Sequence, residues 1–213
     1  EQKMNMSREV LADKAIWTAK KRYIVNVWDD EGVRLKNPKL KISGLEAIKS
    51  TTPHVCRESI KGLFKVIMEG DNDLVIDYID KFRAEFMKMK PEQISKQSSV
   101  SGLMKYKDPA NIYRKGTPQH VRGSLLYNDI LTKKKLDGKY DVIHEGEYIK
   151  ICYLKKPNPL KSDVISFLYS IPEELDLLDY VDYETQFEKM YLEPVRSVLN
   201  KIGWTVKHTN TLF

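Results

Sequence analysis

One dipeptide, Thr52-Pro53, divides the chain into two kinds of pattern. Ahead of it stand β-branched and aromatic residues of the kind that form strands. Behind it apolar residues recur at helical spacing. Proline fixes φ near −65° and lacks an amide proton, so it suits the first turn of a helix and not its interior. Threonine before it can cap the exposed amides. The expected fold is therefore α+β, with a short β segment first and a mainly helical part after.

Residues 20–28, KKRYIVNVW, read as a strand. A turn at Asp29-Asp30-Glu31-Gly32 and a return strand beginning at Val33-Arg34-Leu35 are expected to follow. Residues 1–19, with Met4, Met6, Val10 and Leu11 as apolar positions, read as a short mixed segment, and 36–50 as a connector. Helices are predicted over about 53–68 and from about Asp73, where Val75, Ile79, Phe82, Phe86 and Met89 repeat along one face until Pro91. Residues 91–123 read as a long loop, 140–154 as a hairpin turning at Glu145-Gly146, and Val164 to Tyr169 as a strand. A helical stretch is predicted from Glu173, and a longer helix from about Tyr183 that restarts at Pro194 and is capped at Gly203.

Charge is distributed unevenly along the chain. Residues 1–53 hold eleven Lys and Arg against seven Asp and Glu, and residues 87–161 hold sixteen against seven. Residues 162–213 reverse this, with four against nine. Basic, tyrosine-rich stretches point to a phosphate-facing surface. The longest apolar run falls short of the 18 residues a transmembrane helix needs, so no membrane partner is expected. Cys56 and Cys152 stand far apart without a CxxC pair, which suits a reducing cytoplasm. His54, His120, His144 and His208 show no ligand spacing, so no zinc site is expected. The first residue is Glu1, and the sequence reads as a piece of a longer protein without a secretory leader.

Lys20-Lys21-Arg22-Tyr23 is the sharpest local signal. On a strand, Lys20 and Arg22 would face one side and Lys21 and Tyr23 the other. One face would then send an ammonium and a phenol together into a DNA groove. The minor groove presents purine N3 and pyrimidine O2 acceptors at every base pair, so such donors sense pairing without reading sequence.

The stretch from Lys20 to Pro53 resembles the end of the palm of family B DNA polymerases. Its counterparts are Lys21 and Tyr23, then Asp30-Glu31-Gly32, then Lys41, Gly44 and Glu46, then Ser50 and Thr52-Pro53. The stretch IPEELDLLDYVDYETQFEKMYLEPVRSVLNKIGW resembles the end of the thumb in that family. The likeness is closest to the T-even-like bacteriophage polymerases, to which Met6 to Val10, HVRGSLLYN and EGEYIKICYL are also similar. It implies a palm-derived segment over 1–50, with the KKRY strand, and over 51–213 a mainly helical thumb with a small β-hairpin element.

The resemblance assigns roles residue by residue. Lys21 and Tyr23 would touch the minor groove of primer-template duplex, flanked by Lys20 and Arg22. Lys49, Ser50 and Thr52 would lie beside the primer phosphates, and Arg122 near the duplex backbone. Glu9 would be an accessory carboxylate near the active site. Leu212 and Phe213 would anchor a C-terminal peptide on a sliding clamp. The family's two catalytic aspartate motifs and its finger helix are not found in these residues. Mg²⁺ is expected to serve the complete polymerase and not to bind this chain alone. An upstream polymerase fragment carrying exonuclease, fingers and catalytic palm is therefore an expected partner. Two other readings stand beside this one: a free-standing basic module for single-stranded nucleic acid, and a small metal-dependent nuclease built on Glu9 and Asp13.

Overall fold

A computed structural model of the chain describes residues 8–108, 112–114 and 116–206. The fold is α+β. In chain order the elements are β1 (Val10–Ala19), β2 (Arg22–Asp30), β3 (Val33–Ser43), α1 (His54–Glu69), α2 (Asn72–Phe86), α3 (Pro91–Ile94), β4 (Lys96–Ser99), α4 (Gln119–Lys133), β5 (Tyr148–Tyr153), β6 (Val164–Phe167), α5 (Tyr183–Phe187) and α6 (Glu193–Leu199). The strands form two antiparallel three-stranded sheets, β1-β2-β3 and β4-β5-β6. The described residues pack as two compact units. One gathers those up to Lys49, Arg57–Phe82 and those from Leu192 on; the other gathers Ser50–Cys56 and Arg83–Tyr191.

The first unit is built on the β1-β2-β3 meander. Central β2 carries the strand-forming run, and its Ile24, Val25 and Val27 are buried. Ile16, Ile24 and Ile42 align across the three strands on one face; Trp17, Tyr23 and Ser43 align on the other. The β2–β3 turn, Glu31-Gly32, has φ of 54° and 87°, as a twisted hairpin turn requires. Buried Asp29 anchors it by accepting from the Gly32 amide at 2.9 Å and from Arg8 at 2.6 Å. Buried residues of the helical part include Ile60, Leu63 and Phe64 of α1, Val75, Ile76 and Ile79 of α2, and Val195, Val198 and Leu199 of α6. Helix α6 packs on β1. Beyond it Gly203, at φ 74°, turns the chain so that the Trp204 amide reaches the Leu199 carbonyl at 3.0 Å.

Two expectations fail in this unit. The segment read as mixed holds a ten-residue strand, β1. Its three alanines, Asp13 and Lys14 carry no strand propensity, and pairing with β2 makes it a strand. The segment read as a connector is largely β3, which runs through Pro38 to Ser43. Pro38 is tolerated because β3 is an edge strand and its register breaks there: Asp29 pairs with Arg34, whereas Val27 pairs with Lys39.

The second unit folds around β4-β5-β6, with α4 packed on β5 and β6. Its buried core includes Val121, Leu126, Tyr127, Leu131, Ile149, Ile151, Val164, Ile165 and Phe167. Gly123 sits against β6, where a Cβ would lie 2.7 Å from the Ser166 amide nitrogen. The glycine and buried Ser124 let the helix approach closely, and they also interrupt the apolar periodicity that would reveal it. The long loop read over 91–123 is thus corrected: it holds α3, β4 and the start of α4.

The hairpin read over 140–154 is corrected too. Strand β5 is present, but its partners are β4 and β6. Residues 140–144 form no strand, because the Asn128 amide of α4 takes both backbone groups of Ile143, each at 2.8 Å. The C-terminal helix restarts at Pro194 as expected: α5 leads through a wide π turn, Glu188–Leu192, into α6. Asp182 caps α5 by accepting from the Thr185 amide at 3.0 Å. Cys56 and Cys152 are free and buried, and burial pushes both thiols up to about 12. No described helix is long and apolar enough to cross a membrane.

Candidate nucleic-acid interface

Lys20 and Lys21 are not strand residues. They form the two-residue turn between β1 and β2, with Lys21 at φ 64°. The expected alternation of Lys20 and Arg22 against Lys21 and Tyr23 therefore does not hold. The run of four polar residues forms the hairpin turn and starts the second strand. Only Arg22 and Tyr23 obey strand alternation.

The turn is braced from β3. The Ser43 hydroxyl donates to the Lys21 carbonyl at 3.1 Å, and the Thr18 hydroxyl donates to the Arg22 carbonyl at 3.3 Å. Gly44, at φ 65°, lies directly beneath the turn. A Cβ there would overlap the Lys21 carbonyl oxygen and come within 2.9 Å of Arg22 Cγ. Thr18 is an extra residue in the ladder, since Trp17 pairs with Tyr23 but Ala19 pairs with Arg22. Such a bulge sharpens the local twist and re-aims the neighbouring side chains.

Ion pairing separates the candidate cations. Arg22 is held by Glu46 at 3.1 Å, and the same carboxylate takes Lys49 at 2.7 Å. Lys41 stands 3.7 Å from Asp30. Arg122, in the second unit, is bound to Asp163 at 2.9 Å and to the Thr117 carbonyl at 3.3 Å. Lys20 and Lys21 are exposed, and neither has an ion pair or side-chain hydrogen bond among the described residues. The half-buried Tyr23 likewise has no hydrogen-bond partner for its hydroxyl among them. Ser50 is exposed, whereas Thr52 is buried.

Beside Tyr23 lies a cleft of about 270 Å³ lined by Glu9, Val10, Ala12, Trp17, Val25 and Lys41 as well as Tyr23. Glu9 and Lys41 place opposite charges on an otherwise apolar wall. The sequence does not single out Trp17, because β1 carries little strand propensity of its own. Its signal becomes readable only once Lys20-Lys21 is taken as a hairpin turn, which puts Trp17 opposite Tyr23. Asp13, on β1, is held below its usual carboxyl range by the Trp28 indole and by Asn26, whose amide donates at 2.8 Å. No group of three His, Cys, Asp or Glu among the described residues could hold a metal ion. Leu212 and Phe213 lie outside the described residues.

No protein-family model matches the chain. It is 32% identical over 205 residues, 90% of its length, to the DNA-directed DNA polymerase of Escherichia phage RB69. It is 28% identical over 212 residues, 94% of its length, to the DNA-directed DNA polymerase of Enterobacteria phage T4. It spans only 22% and 23% of those relatives. Over nearly its whole length the chain is thus similar to one region, about a fifth, of these T-even-like phage DNA-directed DNA polymerases.

Proposed function

We propose that this chain is the part of a DNA-directed DNA polymerase that grips primer-template duplex. On this reading residues 1–50 derive from the palm and 51–213 from the thumb. The observation that carries the reading is the β1–β2 turn, which presents two ammonium groups and a phenol hydroxyl that have no partner among the described residues. Lys20 and Lys21 would meet backbone phosphates or groove acceptors, and the Tyr23 hydroxyl would donate to the minor-groove edge of a paired base. Arg22 and Lys49, both tied to Glu46, would orient the turn and the chain leaving it. Ser50 and Arg122 would contribute along the primer backbone, and buried Thr52 would shape that segment from within.

Nucleotidyl transfer needs carboxylates that hold divalent metal on the attacking and leaving oxygens. The described residues do not fit such a centre: no three of their His, Cys, Asp and Glu come together, and Glu9 offers one carboxylate beside Lys41. The Mg²⁺ ligands would come from the rest of the polymerase, with which this chain would act. Alone it would add no nucleotide. Leu212 and Phe213 are the proposed anchors for a sliding clamp.

Fluorescence anisotropy with labelled primer-template duplex, across a salt series, tests the reading. The expected slope of log K against log salt is about −0.9 for each phosphate neutralised. Lys20→Ala with Lys21→Ala should weaken binding and flatten that slope without changing circular dichroism. A salt-independent affinity, or equal affinity after the double substitution, rejects the reading. Stronger binding to single strands than to duplex would instead support the single-strand module.

A further inference from the structure

Trp17 is the largest side chain among the exposed apolar residues described, 62% exposed on strand β1. An indole left in water forgoes the burial that normally accompanies so large a ring. It is the direct cross-strand partner of Tyr23, with ring centres 6.2 Å apart and planes inclined at 44°. The pair adjoins the Lys20-Lys21 turn, and the Thr18 bulge lies between Trp17 and that turn. In the next rows small Ala15 faces Val25 and Ala12 faces Val27, and the indole forms part of the cleft wall beside Tyr23.

We propose that Trp17 is a positioning residue that aims the Tyr23 phenol at duplex DNA and covers the sugar edge beside it. This rests on the reading that the turn grips duplex. The minor groove is only about 6 Å wide, so it admits a single side chain and not a strand. A lone phenol on a hairpin would swing about its χ1 axis. The indole blocks one side of that swing. Its own apolar face matches the deoxyribose C–H groups that wall the groove.

The test is a cycle of Trp17→Ala, Tyr23→Phe and the double variant in this chain, read by duplex affinity. Trp17→Ala should weaken binding roughly three- to tenfold, the worth of one aromatic contact. In the Tyr23→Phe background that loss should shrink to the sugar contact alone, because the aiming part acts only through the Tyr23 hydroxyl. Trp17→Phe should restore most of the affinity. Fluorotryptophan labelling gives a readout independent of the Ala variant's folding. The chain has three tryptophans, and the fluorine resonance missing from Trp17→Phe should shift on adding duplex. Additive losses, unchanged affinity, or a static Trp17 resonance overturn the proposal. If Tyr23→Phe and the Lys20 and Lys21 substitutions are silent as well, the underlying reading fails too. If they weaken binding while Trp17→Ala does not, only the role of Trp17 fails.

Discussion

Replacing Gly44 with alanine separates two physical costs that the β1–β2 turn depends on. Three glycines make the comparison. At Gly138 φ is not positive and a Cβ meets nothing within 4 Å. At Gly32 φ is 87°, again with nothing within 4 Å. At Gly44 φ is 65° and the Cβ overlaps the Lys21 carbonyl, with Arg22 Cγ at 2.9 Å. Gly138→Ala should be neutral or stabilise by up to about 1 kcal/mol, by restricting the unfolded chain. Gly32→Ala should cost about 1–2 kcal/mol, the price of a left-handed L-residue. Gly44→Ala should add about 1–3 kcal/mol of overpacking, because the atom in the way is backbone and cannot rotate aside, for a total of about 2–5 kcal/mol. For a chain of this size that lowers Tm by roughly 4–20 °C. Urea and thermal unfolding by circular dichroism read the stability, and duplex anisotropy reads the turn. Gly44→Ala alone should also weaken DNA binding, since relieving the overlap displaces the Lys20-Lys21 turn. If Gly44→Ala is no more destabilising than Gly32→Ala, the close approach beneath the turn is not what the geometry indicates.

Three further outcomes follow from the second unit and the buried thiols. Arg122→Ala should lose about 1–3 kcal/mol in urea unfolding, as the Asp163 and Thr117 contacts go, with Arg122→Lys restoring only part of it. A DNA-binding defect at unchanged stability would show that these internal contacts matter little. Glu174, bonded to Lys139 and Tyr140, is held down at about 2. Its unfolded value is near 4.3, so its contribution is present above that pH and disappears as pH falls toward about 2. The pair is solvent-exposed, so the effect should be small and salt-sensitive. Denaturation midpoints should fall less between pH 5 and about pH 2 for Glu174→Gln than for the unaltered chain. Cys56 and Cys152, with thiols pushed up to about 12, should react with a maleimide at neutral pH only after unfolding. Rapid labelling of the folded chain would contradict their burial.

Legibility followed the range of the interactions. Helix α1 was readable to within a residue at each end and α2 at its start, because Thr52-Pro53 and the Val75-Ile79-Phe82-Phe86 stripe act within a few turns; α2 stops at Phe86, short of the Pro91 expected to end it. Strand β2 and the Glu31-Gly32 turn were readable for the same reason. Helix α4 was not, since Gly123 and Ser124 are buried polar or small positions in it, and Gly123 is there for its close approach to β6, more than forty residues on. The pairing of β5 was misread because Ile143 finds its backbone partners on an asparagine side chain, which no strand pattern announces. In the candidate interface the four residues at 20–23 were visible as a basic aromatic cluster, but their division between turn and strand was not.

The amino-acid order by itself determined what depends on neighbours: local propensity, turn chemistry, helix punctuation, and the ordered short stretches by which the chain resembles phage DNA polymerases. The tertiary structure alone decided which cations are available. Arg22, Lys49 and Arg122 are as basic as Lys20 and Lys21 in sequence. They differ only because Glu46 and Asp163 lie within about 3 Å of them in space. Tertiary pairing likewise set Trp17 opposite Tyr23 and made a strand of β1. Coulomb attraction, hydrogen bonding and ladder pairing act over a few ångströms of space. Distance along the chain does not encode which groups come that close.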